Sequence, residues 1–430
     1  MPSQSDDKYV SDVISYDILV KNYFLFICAG VGAGKSRWAQ NLARGVTLGQ
    51  ETPLKVLFLT SRTIAKAELL SANDLFTSKL STKGNYYIDA EEYFSYFMWG
   101  GDDLPEDRLA TLGAYEVDDF RFNAPVAQTY AGFRNFISYV YFDTPEEDCY
   151  AWIWQMFDVL VLDESHTIWL EANFQKSGHT VVNLIKWINE HQSDYPDKRV
   201  VFMSGTPDFA NEHLRKIGVK IKILDLRKKC KCVKPSKIMF VEEQDKYSLI
   251  EDLIIFDGAK VIDFYNGAAR SLREIRALLK YTPYADMLCL VSKWSKAREI
   301  WDNESFFFDE YKDTLARMTE AEEYMVGLGE DTNKPRNRLP DQYYYIASTS
   351  AFSEAVSWQN EDIGYMFVDS HLPERVIQCA GRLRKADYTL VIVTDAYQYE
   401  DKLQDSLLAI KNNIKNIDEY NNEYEYLTTL

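Results

Sequence analysis

Short apolar runs punctuate this chain at intervals set by helices, and they carry most of its fold. Residues 23–28 (Tyr-Phe-Leu-Phe-Ile-Cys), 55–59, 157–162 and 198–203 are each of strand length in the first half, and each ends in an unbroken run of at least four apolar residues. Unbroken runs of this kind mark strands buried on both faces, as in parallel sheets. Helical segments separate them: one continues from Ser36 to Leu42, and an amphipathic one runs from Ile64 to Leu70. The pattern recurs without sequence identity in the second half, at 238–241, 260–265, 287–291, 343–347, 365–368 and 390–393, with a helix expected from Ala268 to Leu279. Strands alternating with helices predict an α/β fold of doubly wound parallel sheets.

Two halves therefore follow, residues 1–225 and 237–400, joined by a linker at 226–236 and followed by a helical tail at 401–430. Stretches 72–123 and 303–340 break the alternation and read as insertions.

Candidate chemistry sits behind two of the strands. Ala29-Gly30-Val31-Gly32-Ala33-Gly34-Lys35-Ser36 follows the first run. Its glycines let the backbone curl with N–H groups inward, and the next helix offers its N-terminus to an anion. Lys35 can reach the β- and γ-phosphates of ATP, and Ser36 can offer its hydroxyl to Mg²⁺. The usual pattern opens with Gly; Ala29 in that place requires a first turn without positive φ. Asp163-Glu164-Ser165-His166 follows the third run, at the strand end where ligands bind in open α/β sheets. Asp163 would hold Mg²⁺ through water, and Glu164 would orient or deprotonate the attacking water.

Charge and cysteines narrow the setting. The net charge of −18 disfavours a broad nucleic-acid grip but leaves room for a narrow basic track. One candidate runs from Arg215 to Lys237, with Asp225 its only acidic residue; a solvated linker is the competing reading. Six scattered cysteines, of which only Cys230 and Cys232 are close, give no zinc pattern and fit a reduced, cytoplasmic protein. No stretch approaches the ~20 apolar residues of a membrane span. The polar, acidic N-terminus is unlike a signal peptide.

Spaced motifs across residues 20–400 resemble the superfamily 2 helicases of the DEAD/DEAH type. Ala29–Ser36 and Asp163–His166 match the motifs that bind ATP·Mg²⁺, the latter in its DExH form. Thr60-Ser61-Arg62 and Thr129-Tyr130 look like motifs touching the nucleic-acid backbone. Ser204-Gly205-Thr206 is similar to the Ser-Ala-Thr element that, with His166, couples hydrolysis to strand movement. Thr349 and the segment to Trp358 resemble the motif bridging nucleic acid and ATP. Gln378-Cys379-Ala380-Gly381-Arg382-Leu383-Arg384 resembles the arginine-finger motif. Glu354 or Ala355 stands where the family has glycine, and Lys385 where it has a second arginine. The finger is then Arg382 alone, on a helix shared with Gln378 and Lys385, or the helix ends early and Arg384 takes part.

The resemblance implies two RecA-like domains with ATP in an interdomain cleft, and a monomeric ATP hydrolase acting on nucleic acid, DNA before RNA. A weaker similarity to origin-binding-protein helicases of viruses, phages and mobile elements implies a replicative role. Against this stands an ATP-driven switch or scaffold in a nucleic-acid complex with protein partners and no processive unwinding.

Overall fold

The computed structural model describes residues 8–61, 66, 76, 79–82, 87–89, 120–121, 125–140, 146–170, 177–205, 208–231, 233–264, 281–282, 287–290, 342–348, 358–370, 373–384 and 386–394. The expected helices at 64–70 (apart from Lys66) and 268–279, the insertion at 303–340 and the tail at 401–430 lie outside these residues. The chain divides into two compact units, parting between Lys231 and Cys232.

The first unit is built on a six-stranded sheet. Its strands are Phe24–Cys28 (β1), Val56–Thr60 (β2), Val126–Thr129 (β6), Val159–Asp163 (β7), Arg199–Ser204 (β8) and Lys222–Asp225 (β9). Their order is β6-β2-β7-β8-β1-β9, and every pairing is parallel. All six carboxyl ends therefore lie along one edge. Three short strands, Lys79–Thr82 (β3), Tyr87–Asp89 (β4) and Phe120–Arg121 (β5), form a small antiparallel sheet within the stretch read as an insertion.

Alternation along each strand explains why the runs are unbroken. Phe24, Phe26, Leu160, Leu162, Val200 and Phe202 face helices Tyr130–Val140, Glu146–Met156 and Ser177–Glu190 in one core. Leu25, Ile27, Val159, Val161, Val201 and Met203 face the other core, with Trp38, Ala39 and Leu42 of helix Lys35–Arg44. The rings of Phe26 and Phe202, both fully buried, stack with centroids 6.0 Å apart. Truncating either ring to alanine would cost about 3–5 kcal/mol, because both transfer energy and packing are lost.

The second unit has its own all-parallel sheet. Lys237–Glu242 (β10), Lys260–Phe264 (β11), Met287–Leu290 (β12), Tyr345–Ser348 (β13), Ile363–Val368 (β14) and Thr389–Thr394 (β15) are ordered β10-β15-β14-β11-β13-β12. Helix Lys246–Ile255 covers one face through Tyr247, Ile250, Leu253 and Ile254. Within this core Lys246 and Asp263 form an ion pair at 2.7 Å, both almost wholly buried. Tyr345 donates its hydroxyl to the same carboxylate at 2.8 Å. Burial alone pulls Lys246 down, but Asp263, Tyr247 and Asp369 outweigh it and hold the amine above the ordinary lysine value.

β6 and β9 were not expected from the sequence. β9 puts residues 222–225, read as part of a basic track or linker, into the first sheet.

Candidate active site

The glycine loop leaves β1 at Cys28 and enters helix Lys35–Arg44. Only Gly32 (φ 81°) and Gly34 (φ 83°) in it take the left-handed conformation that glycine tolerates. Ala29 does not, so the usual opening glycine is dispensable here. Ala29 is fully buried and donates its N–H to the Ser204 carbonyl at 3.2 Å, tying the loop to the end of β8. Gly34 is also packed: a Cβ there would come within 3.3 Å of the Tyr9 ring. Val10 donates its N–H to the Ala33 carbonyl at 2.9 Å, so a segment before β1 braces the loop. Lys35 is buried and folds back, donating to the carbonyls of Ala29 (3.0 Å) and Gly30 (3.3 Å). Ser36 follows it in the first turn of the helix.

The acidic motif arrives at the same edge from β7. Asp163 ends that strand, and Glu164 turns the chain with φ 49°. A left-handed glutamate costs about 1–2 kcal/mol. Hydrogen bonds offset it: the Thr167 N–H and hydroxyl both reach the Glu164 carbonyl at 2.9 Å, and the Ser165 N–H reaches the Met203 carbonyl at 3.1 Å. His166 Nδ1 lies 3.0 Å from the Ser204 hydroxyl and 3.6 Å from Glu164 Oε2. The second distance is too long for a hydrogen bond but short for a charge interaction. Ala29, Glu164, His166 and Ser204 thus form one connected network across the ends of β1, β7 and β8. These four residues come from three separate sequence motifs.

Tyr130, read from the sequence only within Thr129-Tyr130, is tied to the acidic turn. Its hydroxyl donates to the Asp163 carbonyl at 2.6 Å, fixing the backbone that aims the carboxylate. Burial, then the charges of Asp163 and Glu164, hold this phenol well above its ordinary range, so it stays a donor. The signal was present in the sequence as the second residue of Thr129-Tyr130.

Thr60 and Thr129 face each other at the ends of β2 and β6. Both are buried, at 1% and 5% exposure. The Thr129 hydroxyl caps helix Tyr130–Val140 by accepting the Gly132 N–H at 2.9 Å. Arg62, Thr206 and Thr349 lie outside the described residues.

In the second unit, helix Pro373–Ala380 stops before Arg382. Tyr388 donates its hydroxyl to the Ala380 carbonyl, and the Arg382 N–H bonds back to Cys379 at 2.9 Å. Beyond the turn, Trp358 clamps the chain: its N–H donates to the Arg382 carbonyl at 2.7 Å, and it accepts from the Arg384 N–H at 3.0 Å. Leu383 pairs with Trp358 as an isolated parallel bridge. Of the two helix endings left open by the sequence, the early one is found: the helix ends at Ala380 and does not run through Arg384. Arg382 remains beside Gln378 all the same, its guanidinium donating to Gln378 Oε1 at 3.3 Å, and both are buried. Arg384 is exposed, and Lys385 lies outside the described residues.

No family model matches the sequence, and no curated protein is significantly similar to it. Two solved structures align along most of the chain. The DEAD-box helicase Mss116 bound to ssRNA and UDP-BeF aligns over 93% of this chain and 72% of its own, with 14% identity and a TM-score of 0.54. A variant of S. cerevisiae Dbp5 bound to RNA and ADP BeF3 aligns over 89% of this chain and 83% of its own, with 12% identity and a TM-score of 0.48. The likeness to Mss116 shows the fold: two RecA-like α/β domains.

Proposed function

We propose that the chain is an ATP-hydrolysing nucleic-acid motor, a helicase or single-strand translocase of the DExH type. The observation that carries this reading is the network at the carboxyl edge of the first sheet, where the phosphate loop, Glu164, His166 and Ser204 are wired together. Lys35 would leave the carbonyls of Ala29 and Gly30 for the β- and γ-phosphates, exchanging neutral acceptors for charged ones. The loop amides and the helix N-terminus would hold the remaining phosphate oxygens.

Ser36 and Asp163 offer a hydroxyl and a carboxylate, hard oxygen donors that suit Mg²⁺ completed by phosphate oxygens. The ion would neutralise charge on the transferring group. Glu164 would accept the proton of the attacking water, with its φ fixed by Thr167 and Ser165. His166 would pass the state of Glu164 to Ser204 and on to Thr206, a short path from phosphate to strand movement.

From the second unit Arg382, oriented by Gln378, would stabilise the transition-state charge. Arg384, being exposed and off the helix, would contribute little there. Arg62 and Thr349 would contact the nucleic-acid backbone together with the edge that holds Thr60 and Thr129. In the shared fold, Mss116 holds ssRNA; for this chain we favour DNA, a replicative role in a phage, virus or mobile element, and action as a monomer. Among the described residues no helix is long and apolar enough to cross a membrane.

One observation favours the second reading, an ATP-driven switch without processive unwinding. Thr60 and Thr129 are buried, so neither hydroxyl is presented to a strand as it stands. ATP turnover across single- and double-stranded DNA and RNA separates the two. A motor is stimulated, most by single strands. Turnover that none of the four substrates changes would leave only the switch.

A further inference from the structure

The basic stretch from Arg215 to Lys237 is split by β9 into two clusters at opposite edges of the first sheet. Arg227, Lys228, Lys229 and Lys231 follow the carboxyl end of β9, where Leu226 bonds to Cys28 beside the phosphate loop. Arg215 and Lys220 precede its amino end, and Lys222 begins it. There they meet Lys21, which lies almost 200 residues earlier in the sequence and just before β1.

Together these four side chains line an open cavity of about 670 Å³, with Tyr23 and Phe24 also in its wall. All four are exposed, and no Asp or Glu lines the cavity. Among the described residues none of the four has an ion-pair partner. The contrast with Lys216, one residue along, is direct: it pairs with Glu212 at 3.0 Å. In a chain of net charge −18, four uncompensated cations around one hollow repel one another, and an anion placed among them relieves that repulsion.

We propose that this hollow is a second phosphate-binding surface that takes the backbone of a single-stranded nucleic acid. It stands on the opposite edge from the phosphate loop. The four residue steps from Phe24 to Cys28 put about 13 Å of strand between them, at ~3.3 Å per residue. A strand held here therefore does not compete with ATP. Its form also fits a polyanion better than a single phosphate. The cations ring an open trough, whereas a tightly held phosphate needs converging amides or a buried donor, as the glycine loop supplies. The surface would hold a strand on the first unit whatever the state of the ATP edge.

The proposal rests on nucleic acid being the motor's substrate, and the test separates the two. Binding of a fluorescein-labelled single-stranded oligonucleotide is measured by anisotropy across a salt series. Each phosphate contact contributes about 0.7 to the slope of log affinity against log salt on a single strand. Substituting Lys21→Gln, Lys220→Gln and Lys222→Gln together should then lower the slope by about 2. The same three positions changed to Arg should restore it, which a misfolded surface would not do. ATP affinity should be the same in all three proteins.

An unchanged slope in the glutamine variant overturns the surface. So does a loss of ATP affinity with no change in slope, which makes the hollow a mononucleotide site. A slope carried equally by a polyglutamate competitor would make it a site for acidic protein and overturn it as well. Lys35→Ala is run in parallel: nucleic-acid-stimulated turnover that survives it sinks the motor and leaves the surface standing. A parent protein that binds no oligonucleotide overturns both.

Discussion

The two sheets of this protein have the same architecture and use buried polarity in opposite ways. In the first, Ala29, Glu164, His166 and Ser204 gather at the carboxyl edge, linked by hydrogen bonds and by the 3.6 Å approach of His166 to Glu164. In the second, the most deeply buried charges are Lys246 and Asp263, set in the core between a helix and β11 and closed off by Tyr345. Polar groups at a strand edge remain within reach of a ligand. A core pair closed off from solvent cannot meet one. On the proposed reading the first unit is organised for chemistry and the second for holding its shape, with Arg382 and Gln378 the residues it would contribute.

Breaking this division should have different consequences on each side. The largest effect is expected at Arg382. Arg382→Ala should lower ATP turnover by on the order of 10³-fold with little change in ATP affinity, as for loss of an arginine finger. Arg384→Ala should change turnover far less, since its side chain is exposed beyond a turn clamped by Trp358. A large loss at Arg384 with a small one at Arg382 would reverse the assignment.

Asp263→Ala tests the other side of the comparison. It strands Lys246 in the core and should cost about 3 kcal/mol, the lower end of what breaking a buried pair costs. Denaturant unfolding followed by fluorescence should show that loss, while nucleotide binding by the first unit is kept. Lost nucleotide binding without lost stability would mean that the pair serves the site. The pair also has a pH signature. Because Lys246 titrates above an ordinary lysine, its stabilisation is complete below about pH 10 and is lost as pH rises through its folded value.

Lys35→Ala should weaken ATP binding by roughly 10- to 100-fold, the worth of hydrogen bonds to a charged group. Isothermal titration decides this. The smallest effect is expected at Ser204→Ala, which removes one hydrogen bond to His166 and about 1 kcal/mol. Intrinsic turnover should then fall only a few-fold, while stimulation by nucleic acid falls more. An equal fall in both would remove Ser204 from the coupling path.

How much of this was legible in the sequence depended on where each residue sits in its sheet. The central strands β1, β7 and β8 are covered on both faces, so their runs of five buried residues announce themselves. β6 and β9 are the two edges of the same sheet, and both went unread. β9 is exposed at Lys222 and Asp225, leaving two apolar residues to carry the signal. β6 ends in Gln128 and Thr129, polar residues that the fold nevertheless buries.

The loop and the acidic motif were legible because their chemistry demands fixed neighbours. The left-handed turn at Glu164 was not, since nothing in Asp-Glu-Ser-His requires it; its cost is met by bonds to Thr167 and Met203. The helix end at Ala380 depends on Tyr388 and Trp358, which reach it through the fold. Spacing alone placed Gln378 beside Arg382, four positions apart, and that pairing persists across the turn.

The most direct test of the central claim is the split between binding and turnover in Glu164→Gln. The carboxylate is assigned to water, and Lys35 with the loop amides to the nucleotide. Glu164→Gln should therefore bind ATP as the parent does while losing hydrolysis by about 10²- to 10⁴-fold, the range of general-base catalysis. Hydrolysis at the parent rate, or no hydrolysis above background in the parent itself, would contradict the account.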